Sequence, residues 1–487
     1  MNTIAPAASN GGIVFVYATD SFQGGALAVV DLDGDDLPEI VAARRDGGNV
    51  VLRNRGGLQF EAVATGIDAS LGAHAIAAVD LDNDGDRDVV LAAANVAYLF
   101  ANQGNGTFRE AGQLIDSGMT EHVLATDLDS DGALDLYFSN YDLRNASNSE
   151  NRLYRNNGGI EFAPAVRLGA GLSWAATAFD VDDDGDRDLY VANDTLVHDS
   201  GDAPPPTTST LPVDLLLRND GRGRDGWRFT DVAADFGLAT PRSSMGGLVG
   251  DFDGDNRLDL FVTNFGAKKL FVRDETNHFV DRAAELGVVA ARRNDVLCAD
   301  SQAPYCLLLS WSAAASDFDL DGFDELLVDN GVAVVGDVPP ALLFTRGDEL
   351  VFREVTPLIG CIDARGLVVT DLDLDGDQDI VVAPANGLLQ IFETRGRPAP
   401  QAWLRVLLHG HASNREGIGA VIAVRMSSGR MQTRVVAPGG TVHSASPPEA
   451  FFGLGRDRVD RVEILWPSGK RSERIGPVFG TIVVEEL

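Results

Sequence analysis

Cysteine is scarce in this chain. Three residues, Cys298, Cys306 and Cys361, among 487 exclude a disulfide-dense scaffold and any Cys-x-x-Cys metal or redox pair. Cys298 and Cys306 lie close enough in sequence to close a small loop across ADSQAPY, which spacing alone does not establish; Cys361 is then left over. Bases are few as well, 39 against 73 acids, for a formal net charge of −34. No basic stripe offsets that field, which excludes nucleic acid as a partner. No apolar run reaches the roughly 20 residues that cross a bilayer, so no membrane partner is expected. The opening MNTIAPAASNGG has neither the basic start nor the apolar core of a secretory signal. The chain is therefore expected in the cytoplasm if Met1 is the natural start, and outside the cell if a leader was removed. A Ser-His-Asp order, a nucleophile elbow, a glycine-rich phosphate loop and a zinc signature are all missing.

What is present is a repeat. Seven nine-residue stretches follow Asp-x-Asp-x-Asp-Gly-x-x-Asp, each flanked by short apolar runs. Their acids at positions 1, 3, 5 and 9 are Asp31, Asp33, Asp35 and Glu39; Asp80, Asp82, Asp84 and Asp88; Asp127, Asp129, Asp131 and Asp135; Asp180, Asp182, Asp184 and Asp188. The last three sets are Asp251, Asp253, Asp255 and Asp259; Asp317, Asp319, Asp321 and Glu325; Asp371, Asp373, Asp375 and Asp379. These loops hold 34 of the 73 acids and three of the 39 bases, so the acidity is local rather than diffuse. Carboxylates crowded this way repel one another unless cations bind between them, and the spacing suits the hard oxygen shell of calcium. Up to seven calcium ions, one per repeat, are expected, with a structural role favoured over a catalytic one because the motif recurs in every unit.

The loop is three residues shorter than an EF-hand loop, and its flanks, such as HAIAAV and VVLAAA around Asp80, read as strands. Each loop is therefore expected to join two antiparallel strands. Asp36 and Asn256 replace the turn glycine, and both residue types tolerate a left-handed backbone. Glu39 and Glu325 replace the closing Asp and are expected to alter the geometry there. Intervals of 47 to 71 residues match one four-stranded propeller blade plus insertions. The fold class is thus all-β: a seven-bladed propeller over 1–396, then a small β-sandwich-like domain over 401–487. The run GIVFVYA at 12–18 has no loop of its own and is expected to close the ring as the outer strand of the last blade. Insertions at 195–214 and 288–306 are candidates for a lid over one face.

The stretches AFDVDDDGDRDLYVAND at 178–194 and VGDFDGDNRLDLFVTN at 249–264 resemble FG-GAP/VCBS repeats. The segments WLRVLLHGHASNREGIGAVIAVR, FFGLG and VEILWPSG resemble the ASPIC/UnbV domain, and the combination is similar to the cartilage-acidic-protein family. That resemblance implies a seven-bladed calcium-binding propeller with a small β domain, and mostly extracellular relatives.

Six residues before each first Asp stand Gly25, His74, Glu121, Trp174, Met245, Trp311 and Arg365, at the start of each inner strand. They are expected to converge at one mouth of the tunnel, with His122 and Asp363 beside them. One reading follows: a calcium-dependent enzyme acting there on an organic small molecule, by tailoring, cyclisation or alkylation of the kind seen in bacterial natural-product pathways on similar scaffolds. His74 and Glu121 would move protons and Arg365 would anchor an anion or carbonyl. Trp174, Met245, Trp311, His122 and Asp363 would line the pocket. The alternative is a non-enzymatic calcium-binding adhesion module with a protein or glycan partner on the loop face and a solvent-filled or plugged tunnel; Trp174 and Trp311 also read simply as tunnel plugs. Calcium sensing is disfavoured, since a closed ring leaves little room to switch.

Overall fold

The computed structural model describes residues 13–18, 26–197, 209–223, 226–290, 292–293, 306–331, 341–346, 351–355, 363–385, 388–394, 402–437 and 442–487. Gly25, Cys298 and Cys361, with most of both insertions, lie outside the described residues. Among those described, strands dominate and the single helical element is a 3-10 segment at Leu143–Asn148.

Every acidic loop joins two antiparallel strands. In the first unit Ala26–Val30 pairs with Glu39–Ala43, and Val50–Asn54 and Phe60–Val63 extend the meander outward. The second and third loops share one six-stranded sheet, because Asp88–Asn102 and Phe108–Thr126 each run on continuously.

Strand periodicity explains how the sheets pack. Ala26, Ala28 and Val30 face Ile76 and Ala78 of the next sheet, whereas Leu27 and Val29 face Val368 and Val381 of the last. Every residue of Ala26–Val30 and of Ala75–Val79 is buried, so both faces of these inner strands are covered and the runs are continuously apolar instead of alternating. Similar apolar seams join the remaining consecutive sheets. The inner strands touch one another in chain order, and Ala364–Thr370 returns to Ala26–Val30. The sheet that closes this ring uses both ends of the propeller, with Ile13–Ala18 antiparallel to Gln390–Thr394.

Asparagines latch neighbouring sheets. Asn54, Asn102 and Asn219 lie on the third strands and Asn156 just past one, and their Nδ2 atoms donate to the carbonyls of Leu372, Leu32, Leu128 and Leu81 at 2.8, 2.9, 2.7 and 2.8 Å. Each of those carbonyls belongs to the second residue of the preceding acidic loop.

Residues 402–487 build two further sheets around Leu404, Val406, Ile422, Val424, Phe452 and Trp466. This unit docks on the loop end of the propeller. Glu416 accepts from Asp80 N–H at 3.0 Å and Arg87 Nε at 2.7 Å, Arg187 donates to Gly419 O at 2.6 Å, and Gly455 N–H donates to Leu320 O at 2.8 Å. One of its segments enters the tunnel. Ser444–Ala445 pairs parallel with Leu27 and Ala28, Leu27 N–H donates to His443 O at 2.8 Å, and Ser312 Oγ donates to Val442 O at 2.8 Å.

The latch is testable at Asn156, which also donates to Leu134 O at 3.2 Å. Asn156→Ala strands buried carbonyls and is expected to cost about 2 kcal/mol in urea unfolding; a variant as stable as the parent rejects the latch.

Candidate functional site: acidic loops and a filled tunnel

Each position of the loop has a distinct task. The first acid accepts backbone amides from its own loop: Asp80 takes the N–H of Asp84 at 3.1 Å and of Gly85 at 2.8 Å. The ninth acid clasps loop to sheet, with Asp88 accepting from Leu81 N–H at 3.0 Å and Asn102 N–H at 2.9 Å. Glu39 makes the same pair of bonds, to Leu32 N–H at 2.8 Å and Asn54 N–H at 3.2 Å, so its longer arm preserves the clasp. For Glu39 the expected change of geometry therefore does not extend to these two bonds. Among the described residues Glu325 keeps only the loop bond, from Phe318 N–H at 2.9 Å, and its other oxygen is buried without a hydrogen-bond partner.

The third acid points to a cation. Asp33, Asp82, Asp182 and Asp373 each keep one carboxylate oxygen buried with no hydrogen-bond partner in the protein. A buried orphan acceptor is costly, and a hard cation is the group that satisfies it. Oxygens of Asp31, Asp33 and Glu39 lie within 4.8 Å of one another, as do those of Asp80, Asp82 and Asp88 and of Asp127, Asp129 and Asp135. In the fourth and fifth loops the close set is the first, third and fifth acids, Asp180, Asp182 and Asp184, and Asp251, Asp253 and Asp255. The donor set is all oxygen and strongly anionic, and it fits a divalent cation.

Two loop positions take a left-handed backbone. Position 6 is Asp36 at φ 72° and Asn256 at 69°, as their residue types predict. Position 4 is left-handed too, at Asn83, Ser130, Asp183, Leu320 and Leu374, and is glycine in the two loops that lack glycine at position 6. That exchange between Gly34 and Gly254 on one side and Gly85 and its counterparts on the other is readable in the sequence, though only once both conformations are known.

Burial, followed by backbone hydrogen bonds and neighbouring carboxylates, sets the protonation of the loops. Desolvation pushes Asp88, Asp135, Asp259 and Asp379 up to about 8, and Glu39, Asp80, Asp188 and Asp371 to about 7.

The tunnel differs from the expected open pocket. Glu121 is buried, and its carboxylate meets Arg45 at 2.5 Å, His74 Nδ1 at 3.3 Å and His443 Nε2 at 3.0 Å. Burial raises its pKa, but the hydrogen bonds from His443 and His74 and the Arg45 charge outweigh burial and keep it ionised. Burial holds His443 and His122 below the usual histidine range, so both are neutral. His122 is the acceptor for Ala176 N–H at 3.4 Å and makes no bond to Glu121. Arg365 stacks over Trp311 at 4.0 Å, with Asp363 3.7 Å away.

The expected pocket walls are packed instead. Met245 and Trp311 are 2% and 5% exposed and close on Val442 of the inserted segment, with Trp174 against them. His443 stacks against Trp311 at 6.5 Å. Sequence reasoning brought His74, Glu121, Trp174, Met245 and Trp311 to one place but missed Arg45, Val442 and His443. Arg45 reaches Glu121 across 76 residues and His443 across 322, separations that no local pattern displays.

These features accompany matches to two family models, one for the repeats and one for the C-terminal unit. The FG-GAP-like repeat model matches residues 31–91, 80–138 and 127–191, and the ASPIC and UnbV model matches 410–480. The chain is similar to cartilage acidic protein 1 of Mus musculus, 25% identical over 477 residues, with 82% of this chain and 71% of the relative covered. The Homo sapiens protein is 25% identical over 473 residues, covering 82% and 70%. Among solved structures, an Agrocybe aegerita lectin recognising non-reducing terminal N-acetylglucosamine has a TM-score of 0.44 at 15% identity, covering 75% of this chain and 87% of that one. BBS1N in complex with ARL6DN has a TM-score of 0.47 at 11% identity, covering 80% and 99%.

Raised carboxylate pKa values give the cation-free fold an unusual pH dependence. Such groups stabilise below their unfolded pKa near 4, and that stability is lost as pH rises toward the folded values. Metal-stripped protein is therefore expected to melt at lower temperature at pH 8 than at pH 5, and saturating cation is expected to remove the slope. A midpoint that climbs with pH in stripped protein contradicts this.

Proposed function

We propose that the chain is a calcium-stabilised, non-enzymatic interaction module. The observation that carries this reading is the filled tunnel, where Val442 and His443 occupy the place a substrate would need. Glu121 already has three partners there, so it is a poor proton shuttle. In this reading 1–396 form a seven-bladed propeller with up to seven calcium ions, one per blade. Residues 401–487 cap its loop end, and the outer surface offers the binding area for a protein or glycan. The orphaned oxygens of Asp33, Asp82, Asp182 and Asp373 support cation binding. Similarity to cartilage acidic protein 1 supports the module over an enzyme and an extracellular setting, where calcium is plentiful.

His74, Glu121 and Arg365 then hold the plug in place, and the two readings separate experimentally. A catalytic Glu121 is replaceable without loss of stability, whereas Glu121→Gln in a structural cluster is expected to cost about 2 kcal/mol, read as a lower melting midpoint in calcium. An unchanged midpoint sinks the structural reading. Chelation of calcium is expected to lower the midpoint by about 10 °C or more, because cations bound only by the folded loops stabilise by mass action. Identical melting with and without chelator rejects calcium as the stabilising ion.

A further inference from the structure

The last thirteen residues leave apolar side chains in water. Ile475, Phe479, Val483 and Leu487 are 65%, 76%, 49% and 86% exposed. Phe479, Val483 and Leu487 share one parity along Gly480–Glu485 and its flanks, so the strand period sets them on one face, while Val484 turns into the core at 8%. Gly480–Glu485 pairs parallel with Ala402–His409 on one side and is the terminal strand of its sheet among the described residues. An exposed edge with outward apolar side chains is a template for a further strand.

A hollow of about 560 Å³ opens at the start of this strand, lined by Leu454, Val459, Val478 and Phe479 and flanked by Arg456 and Arg458. Both arginines are exposed, and neither side chain makes an ion pair or hydrogen bond among the described residues. Asp457 between them is engaged locally, accepting from Ser427 Oγ at 2.7 Å and Arg458 N–H at 2.8 Å. The surrounding unit is basic, with 11 bases and 8 acids over 402–487, whereas the whole chain carries −34. The cationic rim is therefore a local property of this patch.

We infer that this edge docks an extended acidic peptide, which adds beside Gly480–Glu485, seats an apolar side chain against Phe479 and pairs carboxylates with Arg456 and Arg458. Charge complementarity selects that occupant: an apolar hollow alone accepts many partners, but two unpaired arginines at its rim favour carboxylates and repel basic segments. The inference rests on the interaction-module reading and names the partner class for one surface of it.

The probe is a labelled ten-residue peptide alternating Glu with Leu and Phe, titrated by anisotropy into the full chain in calcium. Saturable binding is expected, weakened about tenfold or more by Phe479→Ser and by Arg456→Glu with Arg458→Glu, and by raised salt. The same peptide with Lys for Glu is expected not to bind. Melting of each variant should match the parent, since the substitutions lie at the surface. Equal binding of the lysine peptide, variants that bind as well as the parent, or no saturable binding overturns the docking site. A dimer in sedimentation that Phe479→Ser abolishes assigns the edge to a second copy and overturns it too. Failure here with an intact calcium-dependent melt leaves the module reading standing; loss of the calcium dependence removes that reading itself.

Discussion

Burial of clustered carboxylates is the constraint on which this structure depends. Each loop gathers acids tightly enough that burial drives several of them toward the protonated state, and a divalent cation is the alternative counter-charge. The loops do more than hold ions. Because Asp88, Asp135 and Asp188 accept amides from both the loop and the third strand or its end, and Asn54, Asn102, Asn156 and Asn219 reach the preceding loop, four of the loops are wired to a neighbouring sheet as well as their own. Order in one loop is thus shared around the ring, as expected of a repeat array whose units stabilise through their neighbours.

Much of this architecture is legible in the sequence. The acidic template gave the loops, the short apolar flanks gave antiparallel strands, and the similarity to FG-GAP repeats gave the propeller. Asp36 and Asn256 read correctly as left-handed because their residue types restrict the choice. The latch asparagines were missed, though LRNRG, YRNNG and LRNDG repeat at the ends of third strands. Their role depends on a carbonyl in another sheet, which no local pattern displays. The insertion of Val442 and His443 was missed for the same reason, since the contact joins a unit outside the repeat to the axis of the ring.

The tunnel also shows how convergence can mislead. His74, Glu121, Trp174 and Trp311 do come together, and their chemistry suits catalysis when read in isolation. Adding Arg45 and His443 changes the picture: the acid has three partners, and both indoles pack with Val442 of the inserted segment. A cluster of reactive residue types is informative only when its remaining partners are counted.

The closing sheet bears on how the molecule is made. Ile13 lies opposite Thr394, so this strand must wait for almost the whole propeller before its partner emerges. The plug comes later still, from residues 442–445. A contact of such long range makes ring closure a late event during synthesis, and strands left unpaired meanwhile are exposed to wrong partners. Ribosome pausing or chaperone dependence in this protein should therefore concentrate on the interval between completion of the sheet that holds Gln390–Thr394 and arrival of the capping unit.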